Sequence, residues 1–228
     1  MPPKKRVPGT PDFSYILADV YARRKRKSTG SPFHLMDASH GYDGVAGQYS
    51  RARSPSIGVA TVRRWMEELP RGIRLLDLAC GTGIPLTRVL GEGNYRVVGA
   101  DASPQMLAQF RSNIPTAPAV CGAAQRLAFQ DASFDGALAW GLLFLLAPDD
   151  QRRAIMELAR VLTGGGALLM TAPAERGEWK DVLTDRTSVS LGADAYRDMG
   201  NAAGFDLIGE SIDEGDNHYY AFRRRMRG

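Results

Sequence analysis

Arg74-Leu-Leu-Asp77-Leu-Ala-Cys-Gly81-Thr-Gly83 is the most informative stretch of the chain. Its first half is an apolar run broken by one aspartate, the composition of a strand buried on both faces of a parallel sheet. Its second half carries two glycines one residue apart, which permit a sharp turn and close approach to the backbone. Thr82 to Leu90 then reads as a helix. Strand, glycine turn and helix in that order open a doubly wound sheet, in which ligands sit beyond the carboxyl ends of the strands.

The alternation continues downstream. Arg96–Ala100 is a second strand, and Ser103 with Pro104 caps and starts a helix carrying Met106, Leu107 and Phe110. Ala117–Cys121 and Phe134–Ala139 are the third and fourth strands. Asp149–Leu162 is a helix with Ile155, Leu158, Ala159 and Leu162 on one face; Gly164-Gly-Gly166 is expected to end it and lead into a fifth strand, Ala167–Thr171. Such alternation implies parallel pairing through right-handed crossovers. A helix over Ala193–Ala203, closed by Gly204, precedes two more strands, Leu207–Ile212 and His218–Phe222. The connection between them, 213–217, is too short for a crossover, so the last strand runs antiparallel. The expected fold is therefore α/β: a doubly wound, mostly parallel, seven-stranded sheet with an antiparallel last strand.

Upstream, Val62, Trp65, Met66 and Leu69 mark one face of a helix over Ser56–Leu69, stopped by Pro70 and Gly72. Residues 1–30 read as a loosely docked basic segment, with Phe13, Ile16, Leu17 and Val20 spaced for one short amphipathic helix. The expected organisation is this basic segment over 1–30, a lid and helix over 31–70, and the catalytic domain over 71–228. Lys4, Lys5, Arg6, Arg23, Arg24, Lys25, Arg26 and Lys27 concentrate positive charge there, so a net charge of +4 leaves the remainder slightly acidic. That distribution argues weakly for a nucleic-acid partner. The 228 residues are 44% hydrophobic and 24% charged, ordinary values for a globular domain. No apolar run reaches the roughly 18–20 residues of a membrane span, and no signal-peptide core follows the first residues, so a cytoplasmic protein is expected. Cys80 and Cys121, on strands separated by a third, lie too far apart for a disulfide and read as small buried thiols in no metal-ligand pattern.

Asp101 ends the second strand 20 residues after Gly81, where an acidic side chain can receive two ribose hydroxyls. A dinucleotide fingerprint would require a third glycine three residues after Gly83; Leu86 stands there, beside Pro85. A nucleoside ligand without a pyrophosphate fits better.

These segments resemble the class I S-adenosylmethionine-dependent methyltransferases. Leu75–Gly83 is similar to the family's first motif, and Val97–Leu107 to its acidic second-strand motif. Phe134–Trp140 resembles the fourth-strand segment, Ala159–Gly166 the turn before the fifth strand, and Tyr42–Tyr49 the lid segment. The resemblance runs from about residue 42 to 222 and implies S-adenosylmethionine as cofactor and methyl transfer as activity. By position it places Ala79, Gly81 and Gly83 along the methionine portion and Asp77 near its ammonium. Asp101 falls on the ribose, and Ala102 and Met106 beside the adenine. Tyr49 becomes a lid neighbour of the cofactor; Trp140, at the end of the fourth strand, is expected either to line the acceptor pocket or to pack in the core. Members often carry an aspartate after the third strand where this chain has Ala123, so adenine contacts fall to backbone near Ala123 and Ala124, or to Gln125.

A sulfonium methyl is already activated, so the protein mainly aligns the reacting atoms and excludes water; an alcohol or phenol acceptor gains from a base, an amine or thiolate need not. Of His34, His40 and His218, the last lies by the terminal hairpin and is the expected catalytic residue, with Tyr219 and Asn217 beside it; His40 reads as an exposed loop histidine. The expected partner is a small-molecule methyl acceptor, with no metal and no membrane. RNA or protein methylation through the basic tail is the first rival, and a non-catalytic module that binds S-adenosylmethionine the second. A nicotinamide dehydrogenase is disfavoured by Leu86.

Overall fold

The computed structural model describes residues 37–226, so the basic segment 1–30, the short helix expected within it, and His34 lie outside the described residues. The chain runs α1 (Tyr42–Ala52), α2 (Val59–Glu67), β1 (Arg74–Leu78), α3 (Leu86–Glu92), β2 (Arg96–Asp101), α4 (Pro104–Asn113), β3 (Ala119–Cys121) and β4 (Phe134–Ala139). A short 3-10 turn (Leu143–Leu145) follows, then α5 (Pro148–Val161), β5 (Leu162–Thr171), β6 (Arg176–Lys180), β7 (Thr187–Leu191), α6 (Ala193–Ala202), β8 (Phe205–Ile212) and β9 (His218–Arg224).

Seven strands form one sheet in the order β3-β2-β1-β4-β5-β9-β8. The first five pair in parallel, whereas β9 is antiparallel to both β5 and β8. The strand order reverses beside β1, between β2 and β4, which creates the crevice where ligands of such sheets bind. Side chains on β1 alternate between two cores. Leu76 and Leu78 join Val98, Phe134, Ile155, Leu158 and Tyr220 on one face; Leu75 joins Val62, Trp65, Leu90, Val97 and Tyr219 on the other. Each fully buried side chain of this size contributes about 1.5–3 kcal/mol.

The structure departs from the sequence reading in four places. The turn after β1 is longer than expected: Gly81 and Gly83 have φ of +54° and +79°, and α3 begins only at Leu86. The Gly164–Gly166 triplet does not terminate α5; it lies inside β5, where the register with β4 shifts and Gly165 takes φ +76°. Cys121 is exposed on the edge strand β3 and Cys80 is half-buried, so neither is the fully buried thiol expected. Finally, β6 and β7 form a separate two-stranded antiparallel hairpin that the sequence did not announce. Every β6 residue is exposed, so the strand lacks the apolar alternation by which strands are read.

Candidate functional site

At the carboxyl ends of β1 and β2, two turns are locked together by one carboxylate. Asp101 Oδ2 accepts the N–H of Gly81 at 2.9 Å, and Oδ1 accepts the N–H of Ser103 at 2.8 Å. Burial pushes the Asp101 carboxyl up from its ordinary value, while these N–H donors pull it back. The Asp101 carbonyl takes the Gly122 N–H at 3.0 Å, tying in the loop after β3. Ala79 holds φ +60°, a left-handed conformation that costs a non-glycine residue about 1–2 kcal/mol.

Asp77 faces away from this crevice. It is buried, its Oδ2 accepts the Thr87 hydroxyl at 2.5 Å, and burial raises its pKa to about 7. Gly83 is a packing glycine: a Cβ there would lie 2.7 Å from Ile114 Cγ1 and 2.9 Å from Phe110. Gly81 is different, because a Cβ would meet the Tyr49 ring at 3.6 Å.

Tyr49 belongs to α1, which is anchored at two ends. Asp43 Oδ1 accepts the Ser103 hydroxyl at 2.8 Å and the Gln105 N–H at 2.9 Å, docking α1 on the N-terminus of α4. Ser50 and Gln109 pair one turn further along. On the other side the Tyr42 hydroxyl donates to Asp181 Oδ2 at 2.9 Å, and Arg186 pairs with Asp37 at 2.8 Å. Residues 37–57 and the 181–186 turn of the β6–β7 hairpin therefore close over the sheet edge as one roof.

Beneath the roof lies a cavity of about 480 Å³, within the usual range for a small-molecule site. Asp101, Gly81, Ala79, Ala102, Met106, Gly122 and Ala124 line one end. Trp140, Leu142, Phe144, Leu146, Val182 and Leu183 line the other, with Tyr49, His40, Tyr42 and Asp181 above. Trp140 is held by its Nε1–H donating to the Tyr219 hydroxyl at 2.8 Å and by the Arg53 guanidinium stacked 4.1 Å from its ring. The Tyr219 hydroxyl in turn donates to Asp213 Oδ2 at 2.8 Å, and Asp213 Oδ1 accepts the N–H groups of Gly215 and Asn217.

Of the residues singled out from sequence, Tyr49, Ala79, Gly81, Asp101, Ala102, Met106, Ala124 and Trp140 line this cavity. Asp77, Gly83, Ala123 and His218 do not. His218 points to the opposite sheet face: along β9 it shares a side with Tyr220, its ring 4.7 Å away, and its Nε2 lies 2.6 Å from Glu210 on β8. Asn217 lines the cavity, as does His40, which had read as a loop residue. Asp181, Val182 and Leu183 were not anticipated, because the hairpin that carries them left no periodic signal. Among the described residues no cluster of three or more His, Cys, Asp or Glu could hold a metal ion, and no helix is long and apolar enough to cross a membrane.

The arrangement has the parts a nucleoside ligand requires: a strand-end carboxylate, a left-handed turn with exposed backbone, and a cavity. Gln125 Oε1, beside Ala124, is buried with no hydrogen-bond partner among the described residues, but Gln125 does not line the cavity. The fold is that of a Rossmann-like doubly wound α/β domain. A family model described as a methyltransferase domain matches residues 75–166, from β1 into β5. An uncharacterised methyltransferase of Mycobacterium tuberculosis is 37% identical over 136 residues, 58% of this chain and 51% of that protein. An O-methyltransferase of Aspergillus nomiae is 32% identical over 145 residues, 59% of this chain and 64% of that protein. The chain thus spans about half the length of the first of these relatives. Among solved structures, the 4+2 cyclase SpnF superposes with a TM-score of 0.69 at 20% identity, covering 88% of this chain and all of that one; this likeness concerns the fold alone.

Proposed function

We propose that the chain binds S-adenosylmethionine at the Asp101 end of the cavity and transfers its methyl group to a small-molecule acceptor held at the Trp140 end. The observation that carries this reading is the single cavity reaching from Asp101 to Leu142–Leu146 under one roof. Asp101 receives the ribose hydroxyls, which are good donors to a carboxylate already oriented by two N–H groups. Gly81 and Ala79 present backbone along the methionine portion, and Met106, Ala102 and the backbone at Ala124 pack at the adenine. Asp77 acts indirectly, shaping the turn from the buried side. When bound, the cofactor supplies a carbon activated by its sulfonium, and the protein's part is alignment and exclusion of water. Tyr49 and the roof perform the exclusion, and Trp140, fixed by Tyr219 and Arg53, forms a flat wall for the acceptor.

The apolar lining at Leu142, Phe144, Val182 and Leu183 supports a small, largely apolar acceptor over a polymer. We place the activity in the cytoplasm, where two free cysteines stay reduced. Assaying a panel of small hydroxyl, thiol and amine compounds with labelled methyl donor tests the proposal. Transfer to a small compound supports it. Transfer to RNA or protein alone, lost on deletion of residues 1–30, would replace it with the polymer reading.

A further inference from the structure

The cavity holds one polar ring with no structural duty. His40 sits on a turn with φ +54°, followed by Gly41 at +87°, a conformation that strains a histidine and is kept only where its surroundings enforce it. Those surroundings are fully paired. The Asp37 carboxylate accepts the N–H groups of Ser39 and Gly41 and the Ser39 hydroxyl, and it is braced by Arg186. The next residue, Tyr42, is fixed to Asp181. The turn is thus defined without the imidazole, yet the ring lines the cavity and its Nε2 is buried with no hydrogen-bond partner among the described residues. A buried polar nitrogen left unpaired costs about 1–3 kcal/mol, so a turn of the ring that brings this nitrogen to a donor bound in the cavity is favoured.

We propose that His40 is the general base of the reaction and that the acceptor atom is a hydroxyl oxygen on an apolar, ring-bearing compound such as a phenol. This assignment rests on the methyl-transfer reading above. The acceptor O–H bond breaks and its proton goes to His40 Nε2 while the oxygen bonds to the methyl carbon. The carbon–sulfur bond breaks with its electron pair left on sulfur, and the imidazolium afterwards yields its proton to solvent. The charged groups around the ring suit that duty. Burial and the Arg186 guanidinium hold His40 below the ordinary histidine pKa, against the opposing pull of Asp181 and Asp37. The ring is therefore neutral and able to accept a proton at physiological pH. Tyr42 stays protonated, because burial and Asp181 push its hydroxyl well up, so it does not compete as a base. The choice of a hydroxyl follows from the chemistry: a thiol ionises without help near neutrality, whereas a phenol requires a base. Leu142, Phe144, Val182 and Leu183 supply the apolar walls for such a ring.

The test compares wild type with His40→Asn, which tolerates a left-handed backbone, and His40→Gln. Each is assayed with matched phenols and thiophenols, and each is titrated calorimetrically with S-adenosylhomocysteine. The expected result is retention of that affinity within about threefold, loss of phenol turnover by about 10²–10³-fold, and thiophenol turnover within about threefold of wild type. The acid limb of the wild-type pH–rate profile on phenols disappears in both variants. Equal loss on phenols and thiophenols, or unchanged phenol rates, would overturn the assignment. Wild type methylating thiophenols but no phenols overturns it while leaving methyl transfer intact. Wild type that binds S-adenosylhomocysteine and methylates only amines overturns the assignment while leaving methyl transfer intact, and no transfer to any compound of the wider panel overturns both readings.

Discussion

Asp101 Oδ2 lies 2.9 Å from the Gly81 amide nitrogen, so two residues 20 positions apart are joined at the point where the strand order reverses. The contact couples the shape of the glycine turn to the carboxylate at the end of β2. A second carboxylate, Asp43, fastens the roof to the same corner through Ser103 and Gln105. Turn, carboxylate and roof therefore behave as one unit.

The two glycines of the turn separate folding from binding. Gly83→Ala drives a methyl group into Ile114 and Phe110 at a left-handed φ, and destabilisation of about 2–4 kcal/mol is expected. Gly81→Ala meets only ordinary contact with Tyr49 and costs about 1–2 kcal/mol of backbone strain, but it narrows the cavity and weakens cofactor binding. Urea unfolding and calorimetry on both variants check this; equal stability losses would contradict it.

Ala79 carries strain that glycine would relieve. At φ +60°, Ala79→Gly is expected to change stability by less than about 1 kcal/mol, since relief of strain offsets the added entropy of the unfolded chain. Ala79→Val, β-branched in the same conformation, is expected to lose about 2 kcal/mol or more. Thermal unfolding of the pair decides the matter: if valine is tolerated as well as glycine, the turn is not held as described.

Asp77 gives a pH signature. In the folded protein its carboxyl keeps a proton up to about pH 7, against an ordinary value of 3.8. Between those values the folded state binds the extra proton, so this group's contribution to stability is full below about pH 4 and is lost as pH rises towards 7. The slope is at most about 1.4 kcal/mol per pH unit. Asp77→Asn can still accept from Thr87 and removes the slope, so its stability relative to wild type should improve from pH 5 to pH 8. Parallel pH profiles for the two proteins would refute the raised pKa.

Tyr219 holds Trp140 from behind. Tyr219→Phe leaves the Trp140 Nε1–H and Asp213 Oδ2 each short of a buried partner, and a cost of about 1–3 kcal/mol is expected. Acceptor KM should rise while cofactor affinity holds, because the lesion lies at the far end of the cavity. Steady-state kinetics with an acceptor found in the screen, alongside calorimetry, resolve the two.

Most of the sheet was legible because β1, β2, β4 and β5 are apolar runs punctuated by glycine and capping residues, and burial on both faces leaves such runs little ambiguity. Asp101 was legible through its spacing from Gly81. The roof was legible only in part. Tyr49 followed from family resemblance, but Asp181, Val182 and Leu183 ride on a hairpin whose first strand is wholly exposed and pairs without an apolar pattern. His218 drew attention by lying near the terminal hairpin, yet strand alternation sends it to the Glu210 side and its neighbour Tyr219 towards Trp140. That parity depends on which face each core occupies, which emerges only once β9 is seated between β5 and β8. His40 stood in a polar loop with no periodicity to aim it.

The most direct test of the cofactor site is calorimetric titration of wild type and Asp101→Ala with S-adenosylmethionine and S-adenosylhomocysteine. One-to-one binding by wild type is expected, weakened about 10–100-fold in the variant as charge-assisted hydrogen bonds are lost. Failure of wild type to bind either compound, or indistinguishable affinities in the two proteins, would contradict it.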